Sequence, residues 1–111
     1  SDYRLKENVV SLTDGISRLK NLKPSRFNWK SVPGVTIDGF IAHEAQTVVP
    51  ESVSGEKDQV ADDSNVDTEN GTPIYQKMDN SKIIPLLTAA LQEAIAKIET
   101  LEAEVNALKG S

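Results

Sequence analysis

The clearest hydrophobic pattern lies in the last quarter of the chain. Apolar residues recur there with gaps that alternate between three and four positions, at Ile84, Leu87, Leu91, Ala94, Ile98, Leu101, Val105 and Leu108. Residues 82–109 contain no glycine, and Pro85 falls in the first turn, where proline is best tolerated. A seam of this period predicts a long helix that forms a coiled coil.

The charges beside this seam favour a parallel homo-oligomer. With the apolar residues placed at a and d, Lys97 and Glu104 fall at g, and Glu102 and Lys109 fall at e. In a parallel coiled coil each g residue faces the e residue of the next heptad on the neighbouring chain, so both pairs join opposite charges. Each exposed pair adds only ~0.5 kcal/mol, but both pairs favour the parallel arrangement.

The alternative is a long amphipathic helix packed on its own domain. A helix of about 27 residues is roughly 40 Å long, and a globular chain of 111 residues is too small to cover it completely. Length therefore favours self-association. Isoleucine at a with leucine at d favours two strands in isolated peptides, so the period leaves the number of strands open.

Residues 1–80 alternate short apolar segments with turn signals. Asp14 caps a predicted short helix over residues 14–22, which Pro24 ends. Alternating polar and aromatic residues predict a strand over 26–30, and Ser31-Val32-Pro33-Gly34 is a turn signal before a second strand over 35–42. The further predicted elements are a short helix over 43–49, a strand over 72–78 and a helix cap at Asp79. The pattern predicts an α+β fold, with small antiparallel strands and short helices followed by a long C-terminal helix.

The segment over residues 51–70 is polar, acidic and rich in Ser, Asp and Gly. It is too long for a tight connection, which predicts a long loop or an extended arm; composition alone also permits disorder. We therefore predict a domain over 1–80 that carries this acidic arm, followed by a coiled-coil helix over 81–109.

Composition argues against several classes of function. The formal net charge is −5, whereas nucleic-acid binders normally carry a basic balance. Residues 1–30 hold seven Lys or Arg against three acids, and residues 51–79 hold eight acids against two Lys. The opposite charges of these two segments are expected to balance each other within the fold or across subunits. The alternative is that the basic segment contacts DNA. Cysteine is absent, which excludes disulfides, and no apolar run is long enough for a membrane span.

Metal or cofactor chemistry is not predicted. His43 beside Glu44 lacks further ligands at zinc spacing, and the acidic stretch from Asp58 to Asp67 lacks the spacing of a calcium loop. The sequence also lacks a phosphate-binding loop and a dinucleotide fingerprint.

Three stretches in order resemble one family, the intramolecular chaperones of phage endosialidases, tailspikes and tail fibres, classed as S74 peptidases. The first is SDYRLKEN at residues 1–8, similar to the family's SDxRLK(E/D)N start. The others are LKP at 22–24 with FNWK at 27–30 and GFIA at 39–42, and then IIPLL at 83–87. His43 departs from the glutamine that commonly follows GFIA in the family.

The resemblance implies a homotrimeric domain at the C-terminus of a fibre protein. Such a domain guides registration and folding of its upstream fibre polypeptide, then releases itself by cutting the bond just before its first serine. On this basis the catalytic residues are expected to be Ser1 and Lys6, and the chain is expected to be the released product. The expected location is the host bacterial cytoplasm during virion assembly. The resemblance extends to the autoproteolytic segment of a eukaryotic membrane-bound transcription factor family. The alternative is a structural oligomerisation cap without proteolytic activity.

A Ser–Lys dyad makes a definite chemical demand. Serine needs a base to remove its proton, and lysine is a base only when neutral, although its ordinary pKa is near 10.4. Burial disfavours the ammonium form, which suggests that assembly activates Lys6 by desolvation. Spacing alone does not bring the pair together. If Asp2 caps a helix, Ser1 and Lys6 occupy the positions that meet in a hydrophobic staple; otherwise a bend or a neighbouring subunit must bring them together.

Overall fold

Short elements precede one long helix in the computed structural model, which describes residues 1–110. In chain order they are the 3-10 helix η1 (Tyr3–Leu5), α1 (Gly15–Leu19), β1 (Ser25–Trp29), β2 (Val32–Gly39), α2 (Ala42–Gln46), η2 (Pro50–Ser52), β3 (Val53–Ser54), β4 (Lys77–Met78), η3 (Asn80–Ile83) and α3 (Ile84–Lys109). Both strand pairs, β1–β2 and β3–β4, are antiparallel. This order confirms the predicted α+β class.

The β1–β2 hairpin is tighter than the sequence predicts. The predicted turn over 31–34 and second strand over 35–42 are wrong in their bounds, because β2 spans Val32–Gly39 and Val32 already pairs with Trp29. The extra residues form a bulge after Asn28, whose partner is Thr36. The Asn28 side chain donates to the Pro33 carbonyl at 2.6 Å and thereby holds the bulge, a position where the missing N–H of proline is tolerated.

The chain divides into two compact units, of which one spans Lys20–Ile84. Its buried residues are Leu22, Ala45, Val48, Val49, Ser52, Ala61 and Ile83. Buried Ser52 is fully bonded: its hydroxyl donates to the Val49 carbonyl at 2.6 Å, and its own carbonyl accepts from the Asp79 amide at 2.7 Å. These bonds fix the start of the β3–β4 pair.

The acidic segment folds back on the residues that follow it. The Ala61 amide donates to the Thr72 carbonyl at 2.8 Å, the Ile74 amide donates to the Gln59 carbonyl at 2.8 Å, and Ala61 is only 3% exposed. The predicted strand over 72–78 is mostly absent, since only Lys77–Met78 forms a ladder and Pro73 makes an isolated bridge with Val60. Residues 51–70 thus include a closed loop that is pinned at its base.

The other unit consists of Ser1–Leu19 together with the helix from Pro85 onward. The predicted helix over 14–22 is shorter than expected, because α1 ends at Leu19 and a turn follows at 20–21. A Cβ atom added to Gly15 would lie 2.6 Å from the Ala90 backbone nitrogen, so only glycine fits this contact. The Ile16 amide donates to Glu93 Oε2 at 3.1 Å, which joins α1 to α3.

The long helix begins as the sequence predicts. Asp79 accepts from the Ser81 amide at 3.0 Å and caps η3, which runs directly into α3, with Pro85 in the first turn. Leu86 and Ala90 are buried. The large seam residues are exposed, from 46% at Leu87 to 76% at Leu108. None of the described helices is long and apolar enough to cross a membrane.

Candidate active site

The first six residues form a capped turn. Asp2 has extended backbone angles and is the N-cap of η1, where its Oδ1 accepts from the Arg4 amide at 2.9 Å. The Leu5 amide donates to the Asp2 carbonyl at 3.2 Å, and the Lys6 amide donates to the Tyr3 carbonyl at 3.0 Å. Aspartate is among the preferred N-cap residues because its carboxylate satisfies a free backbone donor. The cap that the sequence suggests at Asp2 is therefore present.

The same carboxylate also holds the guanidinium of Arg4. Arg4 Nε lies 3.0 Å from Asp2 Oδ1, and Arg4 Nη2 lies 2.8 Å from Asp2 Oδ2. The side-chain bonds from Arg4, and then the bond from its backbone amide, hold the pKa of Asp2 below its ordinary value. The carboxylate in return raises the pKa of Arg4. Asp2 thus receives both a backbone and a two-pronged side-chain contact.

This turn brings Ser1 and Lys6 together. Ser1 precedes the cap and Lys6 is the residue at which η1 ends, and Lys6 Nζ donates a hydrogen bond to Ser1 Oγ. Both side chains are exposed in the single chain. A lysine nitrogen at hydrogen-bond distance from a serine hydroxyl is the contact that base activation of a nucleophile requires. Residues five positions apart would lie on opposite faces of a regular strand, and here they meet because a 3-10 turn lies between them.

The chain changes direction soon after Lys6. Asn8 has φ +53°, in the left-handed region that few residues other than glycine and asparagine occupy readily. It follows Lys6 by two positions and lies in an exposed segment that extends to Asp14. The backbone is extended at Lys6, directly after the turn, and it bends at Asn8.

His43 lies in α2, within the unit Lys20–Ile84, whereas Ser1 and Lys6 belong to the other unit. It is half-buried and lines a cavity of about 370 Å³ with Glu56, Lys57, Tyr75 and Gln76 among its walls. Nearby, Gln76 Nε2 donates to Gln46 Oε1 at 3.0 Å and to the Gly55 carbonyl at 3.1 Å. Across residues 1–110, no group of three or more His, Asp or Glu side chains is arranged to hold a metal ion.

A family comparison bears directly on the capped turn. Residues 1–54 match the Peptidase_S74 family, described as the chaperone of endosialidase. This match confirms the resemblance and indicates an endosialidase chaperone domain. It covers Ser1, Lys6, the β1–β2 hairpin and α2, and it ends at β3. No curated protein matches the chain.

The Peptidase_S74 match supports a peptidase as well as a chaperone, and a chaperone acts on a client polypeptide. Sequence reasoning selected Ser1 and Lys6 within the matched region but missed the contact between Arg4 and Asp2. The signal was available, because an acid at a helix cap and an arginine two positions later lie on the same short turn. Glu93 was also missed, since its partner Ile16 lies far away in sequence.

Proposed function

We propose that this chain is an intramolecular chaperone that trimerises and registers a phage tail fibre or tailspike, and releases itself by cutting the peptide bond before Ser1. The observation that carries the proposal is the hydrogen bond between Lys6 Nζ and Ser1 Oγ inside the region that matches the endosialidase chaperone family. The client is the upstream fibre polypeptide. Cleavage takes place in the host bacterial cytoplasm while virions assemble.

The reaction begins when neutral Lys6 Nζ removes the hydroxyl proton of Ser1. Ser1 Oγ then attacks the carbonyl carbon of the preceding residue, and the resulting tetrahedral centre collapses with loss of the C–N bond. The proton held by Lys6 passes to the departing amine, which becomes the free α-amine of Ser1. Water, deprotonated by Lys6, hydrolyses the remaining ester, which releases a carboxylate and restores the serine hydroxyl. The site acts once, because its substrate is its own chain.

Exposure of the dyad suggests how cleavage is coupled to assembly. In the single chain Lys6 Nζ donates to Ser1 Oγ, whereas catalysis needs the hydroxyl to donate to a neutral amine. Removal of water from around an amine favours its neutral form over the ammonium form. The contact itself is made within one chain, so we propose that trimerisation supplies desolvation to a pair that is already in place.

The seam of α3 supports trimerisation. Its large apolar residues remain about half exposed or more, and Lys97, Glu102, Glu104 and Lys109 flank it with the charges that a parallel arrangement pairs. A helix that leaves a continuous apolar stripe in water gains free energy when copies of the chain cover it. The choice of three strands follows the family resemblance.

The decisive experiment uses a longer polypeptide in which a peptide bond precedes Ser1. Intact-mass analysis should find a fragment that starts at Ser1 in the wild type, and uncut chains in Ser1→Ala and Lys6→Ala. The matched control is Lys20→Ala, which removes an exposed lysine outside the turn and should cleave normally. Uncut wild-type chains in an assembled oligomer would leave an oligomerisation cap as the function.

A mixing experiment tests whether each dyad lies within one chain. Ser1→Ala and Lys6→Ala precursors are unfolded together and allowed to assemble as mixed oligomers. We expect no cleavage, because the structure joins Ser1 and Lys6 of the same chain. Cleavage of the Lys6→Ala chains in the mixture would mean that a neighbouring subunit supplies the base.

A further inference from the structure

We propose that Asp2 and Arg4 are positioning residues that hold Ser1 and Lys6 in register for cleavage; this rests on the self-cleavage proposed above. Neither side chain takes part in the contact between the nucleophile and the base. Both act through the backbone of η1, which determines where the residues on either side of it point.

The turn has no packed core to hold it. It contains no buried residue, and its apolar side chains are among the most exposed of the chain, with Tyr3 at 83% and Leu5 at 87%. A 3-10 turn of three residues is a short and weakly stabilised element. Polar contacts must therefore define its geometry in the single chain, and those contacts converge on Asp2.

Asp2 fastens the turn in three ways. Its carbonyl accepts from the Leu5 amide, and its Oδ1 accepts from the Arg4 amide. Its two carboxylate oxygens also accept from the Nε and Nη2 atoms of the Arg4 guanidinium, a two-pronged contact called the Arg4 fork below. An exposed ion pair ordinarily contributes little, but a two-pronged arginine–carboxylate contact is the geometry in which it fixes orientation. Here the same carboxylate also caps the helix, so ion pairing and backbone geometry depend on one group.

The arrangement has a direct consequence for Ser1 and Lys6. Ser1 is bonded covalently to Asp2, and Lys6 is tied to the turn through its amide, which donates to the Tyr3 carbonyl. If the cap opens, the two ends of the turn are free to separate. Reaction rates fall steeply when reacting groups are displaced, by about 10²-fold for a shift of roughly 1 Å. Loss of the cap should therefore slow cleavage although Ser1 and Lys6 are intact.

The test compares cleavage rates of assembled precursors that carry Asp2→Ala, Asp2→Asn, Arg4→Ala or Arg4→Lys. Asparagine is as good an N-cap as aspartate, so Asp2→Asn keeps the backbone bond and loses the charge. Lysine keeps the charge of Arg4 but cannot reproduce its fork. The matched controls are Asp38→Ala and Arg26→Ala, because Arg26 Nε and Asp38 Oδ1 form a similarly exposed pair at 2.8 Å in the β1–β2 hairpin.

We expect Asp2→Ala to slow cleavage by at least about tenfold, with substantial rescue in Asp2→Asn. Arg4→Ala should also be slower than Arg4→Lys, and the hairpin controls should cleave like the wild type. All variants should form the same oligomer. Faster cleavage in Asp2→Asn than in Asp2→Ala would show that residue 2 acts as a helix cap. If Asp2 were needed only for its charge, asparagine would not restore the cleavage rate.

Three results would overturn the assignment: cleavage of Asp2→Ala at the rate of the hairpin controls, equal rates for Asp2→Asn and Asp2→Ala, or failure of Asp2→Ala to assemble. Failure of the proposed function looks different, since wild type would then stay uncut or Ser1→Ala would be cut. The two hypotheses are thus tested separately within one set of proteins.

Discussion

The backbone amide of Ile16 donates to the carboxylate of Glu93, 77 residues later in the chain. One position earlier, Gly15 lies so close to the backbone of Ala90 that a side chain has no room. This polar contact and this close steric fit hold the start of α1 against α3.

Gly15→Ala should destabilise the chain by about 1–3 kcal/mol, because the added methyl meets the backbone of α3, which cannot move aside as a flexible side chain can. Gly34→Ala is the matched control, since nothing lies within 4 Å of the Cβ that it adds. Urea denaturation followed by circular dichroism measures both. Equal midpoints for the two variants would mean that α1 does not pack on α3 as described.

Leu101→Asp should abolish or strongly weaken self-association. Leu101 lies on the a/d seam and is 58% exposed in the single chain, so a charge there would be desolvated at a coiled-coil interface. Ala103→Asp places the same charge on the outer face of the helix and should leave assembly intact. Sedimentation velocity over a range of concentrations gives the oligomeric state. An unchanged oligomer in Leu101→Asp would exclude the seam as the interface.

The proposed parallel arrangement makes a prediction about charge pairs. Lys97→Glu should weaken assembly, because a parallel coiled coil would place residue 97 against Glu102 of the neighbouring chain, and the double variant Lys97→Glu with Glu102→Lys should recover it. Each exposed pair is worth about 0.5 kcal/mol, repeated once per subunit contact. A thermal double-mutant cycle at fixed protein concentration measures the coupling. An antiparallel arrangement would give no recovery.

Acid should weaken the start of the long helix. The Ser81 hydroxyl, and then its backbone amide, lower the pKa of Asp79 below its ordinary value of 3.8. A carboxylate with a lowered folded-state pKa contributes stability above the unfolded-state pKa, and that contribution is lost as pH falls through the folded-state value. Asp79→Asn should thus reduce the loss of stability below about pH 4. Urea midpoints at neutral and acidic pH test this, with exposed Asp67→Asn as the control; equal acid sensitivity in both variants would refute it.

The features predicted correctly from the sequence mostly depend on residues that are close together in the chain. The cap at Asp79, Pro85 in the first turn and the heptad seam all depend on neighbouring residues. The cap is present at η3, and Pro85 and the seam residues lie in α3 as expected. The start of β2 was mispredicted, because it depends on a bulge that Asn28 holds through Pro33 across the hairpin. For the candidate site, the family resemblance implied Ser1 and Lys6, whereas the two-pronged contact from Arg4 to Asp2 depends on the three-dimensional shape of the turn.

The contact of Gly15 with Ala90 also bears on the order of events during synthesis. A ribosome makes Gly15 and Ile16 well before it makes their partners on α3, Ala90 and Glu93. The unit that contains Ser1 and Lys6 cannot close until α3 has been synthesised. A chain that stalls before α3 therefore lacks the surface on which α1 docks, and an incomplete product differs structurally from a complete one.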